Sequence, residues 1–325
     1  MGGLKRALTP LVLLAAVVAL FAITAPTLTA ATGPPGAESR TASTLATGTS
    51  PLGRQSGYAG QDTCLECHEG MEETLIGTRH NRSADGRTPT ATRGCESCHG
   101  PGQEHADSGD PDLMTSFAER SPTESNEMCT SCHNKGDHAF WTGSQHESRD
   151  VTCVNCHSVH NPHSEVAQLA KPTQTETCAQ CHSAKVAQIE RTTHMPVREG
   201  SMQCSSCHNP HGSVNDRMLA EGFTINESCT MSCHAEKRGP FMFEHAPVVE
   251  SCVSCHDPHG AVNDRMLTAK VPMLCQRCHN HTRHPPRVYD AVGLQERTQG
   301  YGRSCLNCHQ AIHGTNHPSG KRLLR

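Results

Sequence analysis

Residues 204–219 read CSSCHNPHGSVNDRML and residues 252–267 read CVSCHDPHGAVNDRML. The shared block CHxPHGxVNDRML recurs at an offset of 48 positions, from Cys207 to Cys255. A near-copy of this length marks an internally duplicated chain. Each copy opens on two cysteines spaced by two residues, with a histidine immediately after the second.

That C-x-x-C-H unit runs through the whole chain. It occurs at Cys64/Cys67/His68, Cys95/Cys98/His99, Cys129/Cys132/His133, Cys153/Cys156/His157 and Cys178/Cys181/His182. It recurs at Cys204/Cys207/His208, Cys252/Cys255/His256, Cys275/Cys278/His279 and Cys305/Cys308/His309. A tenth site, Cys229/Cys233/His234 in CTMSCH, carries one extra residue between its cysteines. The ten motifs consume all 20 cysteines of the 325-residue chain. CxxCH is the attachment signature of c-type haem. The two cysteines can form thioethers to the two vinyl groups of one porphyrin, and the histidine reaches the iron as proximal ligand. Structural zinc and a disulfide framework each explain paired cysteines, but neither explains the adjacent histidine.

Composition agrees with a cofactor-filled interior. Hydrophobic residues are 34% of the chain, cysteine included, and aromatics only 3%. The length would allow two ordinary domains, but this composition cannot build two side-chain cores. The expected fold is a multihaem cytochrome c with little regular secondary structure. Short α-helices and loops would wrap an elongated chain of ten haems.

Fourteen histidines lie outside the motifs, enough to give every iron a second imidazole. The chain divides into five two-haem repeats: 64–128, 129–177, 178–228, 229–274 and 275–325. In the first four, a histidine follows the first proximal histidine by 11 to 13 residues: His80, His146, His194 and His245. Another follows the second motif closely: His105, His160, His211 and His259. In CHxxH the two histidines are too close to clasp opposite faces of one porphyrin. His160, His211 and His259 are therefore expected to serve a neighbouring haem. In the fifth repeat His284, ahead of Pro285, is favoured over His281, and both His313 and His317 are candidates. His138 and His163 read as spares. Methionine is the less favoured ligand among so many histidines. Asp216/Arg217 and Asp264/Arg265 read as local salt bridges or caps.

The N-terminus carries a basic Lys5–Arg6 pair, an apolar run from Leu11 to Ile23 and small residues at Thr29, Ala30 and Ala31. This pattern predicts a signal peptide over 1–31. A flexible leader over 32–57 and a decahaem domain over 58–325 follow. A formal charge of −4 without a basic stripe argues against nucleic acid as a partner. With two histidines on each iron no substrate position is open, so the expected chemistry is electron transfer, with no catalytic residue. Direct reduction of a small oxyanion or metal ion, and soluble periplasmic electron storage, are the alternatives.

Five stretches carry a resemblance: GQDTCLECH around Cys64, CESCHGPGQEH from Cys95, CHAEKRGPFMFEHAPV from Cys233, the two CHxPHGxVNDRML blocks, and CLNCHQAIHGTNHPSG at the C-terminal end. On these the chain resembles the MtrA/DmsE/PioA family of periplasmic decahaem cytochromes, over essentially all of its mature length. CTMSCH departs from the plain motif. The resemblance implies a periplasmic location associated with the outer membrane, and electron flow toward or across it, as in metal reduction or iron oxidation. It implies a porin-like β-barrel partner and an extracellular multihaem cytochrome or terminal reductase. A periplasmic or inner-membrane cytochrome would act as donor or acceptor. Pyridine haemochrome assay of the purified protein should count ten haems per chain; fewer would refute the reading of the motifs.

Overall fold

The computed structural model describes residues 57–114, 116–279 and 304–324. The expected export segment 1–31, all but the last residue of the leader 32–57, and His281 and His284 lie outside the described residues. Local structure is organised by the motifs. In eight of the plain motifs the histidine N–H donates to the carbonyl of the motif's first cysteine, at 2.8–3.1 Å. That bond closes one helical turn and brings both sulfurs and the imidazole to one side. In CTMSCH the bond from His234 N to Cys229 O is kept at 3.0 Å across one more residue. The extra residue is thus taken up as a widened i→i−5 turn. The ninth plain motif lies within helix Gln174–Ile189, where His182 interrupts the helical backbone with φ −101° and ψ 35°.

Three of the helices that deliver first cysteines start from Ser/Thr–Glu capping boxes. Ser121 pairs with Glu124 ahead of helix Pro122–Thr130, and Thr173 with Glu176 ahead of Gln174–Ile189. Thr224 pairs with Glu227 ahead of Ile225–Thr230. Each box satisfies backbone donors that a short helix cannot satisfy itself, worth about 1 kcal/mol per cap.

Downstream of the second motif in three pairs the chain makes the same closed loop. It is pinned by isolated antiparallel bridges at His157/Leu169, His208/Leu219 and His256/Leu267. Backbone hydrogen bonds recur on both sides, as in Asn209 N to Met218 O at 2.8 Å and Asp257 N to Met266 O at 2.8 Å. The reversal is a pair of left-handed residues: Ala167–Gln168 (φ 57° and 50°), Arg217–Met218 (58° and 54°) and Arg265–Met266 (58° and 55°). Two further bridges join one motif pair to the next, Thr193/Ala261 and Phe243/Thr315. Among the described residues there is no β-strand, and the longest helix has 16 residues.

The apolar core of the described residues amounts to Trp141, Leu169, Ile189 and Ala261, and no large side chain is fully buried. Side-chain packing of this extent cannot offset the entropy of ordering more than 200 residues. The low aromatic content of the sequence is reflected directly in that deficit.

The left-handed turns generate a paired test. Val is β-branched and resists φ near +58°, whereas Gly accepts it freely. Arg217→Val should destabilise the protein by about 1–3 kcal/mol, and Arg217→Gly should leave the thermal midpoint at or above that of the parent.

Candidate functional site

Thiols of successive motifs lie against one another in chain order. Within a motif pair the first cysteines meet. A hydrogen-bonding neighbour, Cys153, raises the Cys129 thiol, and Cys204 does the same to Cys178. Burial first, then Cys95, raises Cys64; burial first, then Cys252 and Cys305, pushes Cys229 and Cys275 up to about 11. Between pairs the second cysteine of one motif faces the next. Burial raises Cys98 to about 11, with Cys129 and Cys132 adding to it, and Cys156, Cys207 and Cys255 are raised by burial and then by Cys181, Cys233 and Cys278 respectively.

Two of the expected attachment cysteines depart from this thiol-to-thiol pattern. Cys67 and Cys308, the second cysteines of the first and last motifs, lie outside it; they are exposed, as are Cys132, Cys181, Cys207, Cys233 and Cys278. The physical reason is their place in the series: no motif precedes Cys67 or follows Cys308 to supply a facing thiol. What ties them to their sites is the motif turn alone, through Cys67 N to Cys64 O at 3.3 Å and Cys308 N to Cys305 O at 3.2 Å. All 20 cysteines are free of S–S bonds.

Eight motif imidazoles each stand opposite one from outside the motifs; among the described residues no imidazole faces His234. His68 faces His105 at a ring-centroid distance of 6.2 Å, His133 faces His80 at 5.9 Å, and His99 faces His160 at 6.3 Å. His182 faces His146 at 6.1 Å, His157 faces His211 at 6.0 Å, and His208 faces His259 at 6.2 Å. His279 faces His245 at 6.1 Å, and His256 faces His313 at 6.3 Å. Two imidazoles bound through one ring nitrogen each to opposite faces of a single metal ion, at about 2 Å, put their centroids about 6 Å apart. The spacing therefore fits a haem iron in eight places. Among the described residues no three or more His, Cys, Asp or Glu side chains converge on one point.

The pairing follows a register that sequence spacing did not reveal. His80 stands opposite His133 in the following motif pair, not His68. His146 and His245 likewise face His182 and His279 one pair ahead. His160, His211, His259 and His313 face His99, His157, His208 and His256 one pair behind. Among the eight, His68 and His105 alone meet within a pair.

The register depends on close backbone approach at three equivalent glycines. Gly212, Gly260 and Gly314 each follow a second-set histidine and have φ of 110°, 134° and 116°. A Cβ there would collide with Phe140 O, Gln188 O and the Phe241 ring respectively. Repeated asparagines add a clamp. Asn126 accepts from Cys153 N at 2.9 Å and donates to Val151 O; Asn226 accepts from Cys252 N at 2.7 Å and donates to Val248 O. The recurrent NExC at 126–129 and 226–229 was the signal for them. Glu96, 2% exposed, accepts from Ala59 N, Gly60 N and Gly102 N at 2.8–3.0 Å. It thereby fixes the entry to helix Gln103–Ser108, which carries His105.

The outer ring nitrogens are anchored in a regular way. The motif histidines His157, His208, His256 and His309 donate from Nδ1 to the carbonyls of Ala167, Arg217, Arg265 and Arg322 at 2.7–2.9 Å. In the paired rings His105, His146 and His245 the acceptors are the carbonyls of Asp110, Pro210 and Ile312, at 2.7–3.1 Å. Thr74 Oγ1 donates to Met71 O and accepts from His160 Nδ1 at 2.7 Å. Such bonds set the tautomer that leaves Nε2 for a metal and raise the ring's basicity. Arg217 and Arg265 thus act through the backbone, and among the described residues neither forms an ion pair with Asp216 or Asp264; the salt-bridge reading of those pairs is corrected. Burial depresses protonation of His80, His99, His133, His245, His259 and His313, and holds His211 down at about 4. These rings are neutral near pH 7, as a ligand must be.

Three histidines stand apart. The imidazole of His194 is held by Glu199, 3.0 Å from Nε2, and by Arg191 O, 2.7 Å from Nδ1. The Glu199 bond raises its protonation, and no imidazole of the described residues faces it. His317 accepts from Ser319 N and Oγ, so the structure brings His313, not His317, opposite a motif histidine. His138 packs 4.1 Å from His211 and 5.4 Å from His133. Beside the His256–His313 pair lies a cavity of about 690 Å³ lined by Lys237, Arg265 and His313, among others.

Comparison with known proteins agrees with this geometry. A family model for the doubled CXXCH motif matches residues 194–239 and 245–284, and one for cytochrome c-type protein NrfB-like matches residues 95–181. The multiheme cytochrome MtrA of Shewanella baltica (strain OS185) is 43% identical over 276 residues, covering 82% of this chain and 81% of that protein. The chain belongs to the MtrA family of multihaem c-type cytochromes. A more distant relative is the C-type polyheme cytochrome OmcB of Geobacter sulfurreducens, 24% identical over 218 residues, 53% of this chain and 28% of OmcB. The cofactor of this MtrA-family cytochrome is covalently bound haem c, and its chemistry is electron transfer. Gly260→Ala should force His259 away from His208 and destabilise the protein by more than about 1 kcal/mol, measured as a lowered thermal midpoint with the haem content unchanged.

Proposed function

We propose that this cytochrome is a non-catalytic electron wire of ten haems, each held by the thioethers of one motif and clasped by two histidines. The eight imidazole pairs at 5.9–6.3 Å carry this reading. The ligand pairs are those faced across each gap, with the motif histidine proximal and His80, His105, His146, His160, His211, His245, His259 or His313 distal. By extension of the same register, His194 would serve the haem of His234 once Nε2 leaves Glu199, and His284 the haem of His309. Exposed Cys67 and Cys308 carry thioethers of the two terminal haems, whose outer edges are where electrons enter and leave. Six-coordinate irons admit electrons and exclude substrates.

The setting is the periplasmic face of the outer membrane, reached by export through the N-terminal signal. A periplasmic or inner-membrane cytochrome would exchange electrons at one end. A porin-like β-barrel would hold the wire, and an extracellular multihaem cytochrome or terminal reductase would exchange electrons at the other end. The similarity to MtrA over four-fifths of both chains supports this placement. Among the described residues no helix is long and apolar enough to cross a membrane. Passage across the bilayer would therefore rely on the partner.

One observation favours a second reading at a single site. If Glu199 retains His194, the iron at His234 keeps an open face where a small oxyanion or other ligand could bind. Low-temperature EPR of the ferric protein separates the two. The wire predicts low-spin signals from every haem, and a stoichiometric high-spin signal abolished by Glu199→Gln would establish the open site. Fractionation tests the placement: the cytochrome should co-purify with outer membranes and a β-barrel protein, and quantitative release as a lone soluble protein would overturn it.

A further inference from the structure

We propose that the haem attached at Cys129 and Cys132, between His133 and His80, is the highest-potential station of the wire, where the first electron comes to rest. This inference rests on the ligand pairing proposed above. In seven of the eight imidazole pairs one ring donates from Nδ1 to a carbonyl or hydroxyl oxygen, as His208 does to Arg217 O at 2.9 Å and His146 to Pro210 O at 2.7 Å. An acceptor there draws the N–H proton outward and makes the imidazole a stronger donor to iron. Stronger donation stabilises ferric over ferrous haem and lowers the potential.

The His133–His80 pair is the exception. His80 Nδ1 is buried without a hydrogen-bond partner, and no acceptor among the described residues meets His133.

A second, independent observation points the same way. The two rings stand at 87°, whereas in the other seven pairs the interplanar angle is 8° to 55°. Crossed imidazole planes let the iron d orbitals donate less effectively to the ligand set as a whole, and they raise the potential relative to parallel planes. They also label the haem. A ferric iron between perpendicular imidazoles gives a highly anisotropic low-spin EPR signal with a large principal g value, distinct from that of parallel pairs.

The site is wired to its neighbour through a ring that binds no iron. His138 lies 5.4 Å from His133 and 4.1 Å from His211, which belongs to the next pair. An electron entering at either end of the wire therefore meets a well near one end, coupled to the following haem through packed imidazoles.

The experiment is stepwise reduction of the full-length holoprotein with dithionite in the presence of redox mediators, followed by EPR at each potential. The large-g signal should be the first to disappear as each ferric haem takes one electron. His80→Ala should replace that signal with one haem's share of high-spin iron. His80→Met, which keeps a sixth ligand, should abolish it while leaving the iron low-spin and raising its potential further. A large-g signal that outlasts the others on reduction, or that survives both substitutions, overturns the proposal. Haem count and spin state are read on the same samples. Fewer than ten haems, or high-spin iron at this site in the unmodified chain, would instead overturn the ligand pairing.

Discussion

A spacing of about 6 Å between two imidazoles from different parts of the chain is the constraint that the other features serve. The closing bond from motif histidine to first cysteine fixes one imidazole relative to two sulfurs. The opposite imidazole must then arrive from elsewhere, and nearly always does so from the adjoining motif pair. Capping boxes, asparagine clamps and glycine contacts all act at the joints where that delivery occurs. Gly260 shows the logic: its missing Cβ lets the loop meet Gln188 O, and the Thr193/Ala261 bridge then brings the next residue back into line.

This arrangement also explains how so few apolar side chains suffice. Four buried hydrophobic residues cannot hold the described chain together. Covalently bound haem c supplies what they lack, so the order of the backbone is inseparable from the cofactor. Buried donors without protein partners, such as Trp141 Nε1 and Gln168 Nε2, are the polar counterpart of that replacement.

The motifs, and the two sets of histidines that follow them, were legible because covalent attachment needs a fixed local spacing. CxxCH is a local statement, and so is CHxxH, whose short reach already showed that His211 could not serve the haem of His208. The register was not legible. That His80 meets His133 instead of His68 is a long-range contact, and a spacing of twelve residues is compatible with either. Nor did nine plain motifs and one lengthened motif reveal that Cys67 and Cys308 stand apart from the run of facing thiols, because being terminal is a property of the series and not of the motif. The meaning of NDRML was hidden for another reason. Its contribution comes from the Arg217 and Arg265 carbonyls at positive φ, and a backbone atom has no letter in the sequence. His194 is the one first-set histidine whose sequence position and structural surroundings diverge, held by Glu199 with no imidazole of the described residues facing it.

Reciprocal delivery of histidines has a consequence for how such a chain can change in length. Three of the four joints between motif pairs are crossed by one imidazole going forward and one going back, and the fourth by His259 going back to His208, so a pair inserted at a reciprocal joint would receive and supply one on each side. The His68–His105 contact, made within its own pair, closes the series at that end as a capping unit closes a solenoid. Duplication in steps of two motifs therefore preserves the imidazole pairing, whereas gain or loss of a single motif would strand an imidazole. The reach of the conductor is quantised, and the 48-residue offset between its two most similar blocks marks one such step.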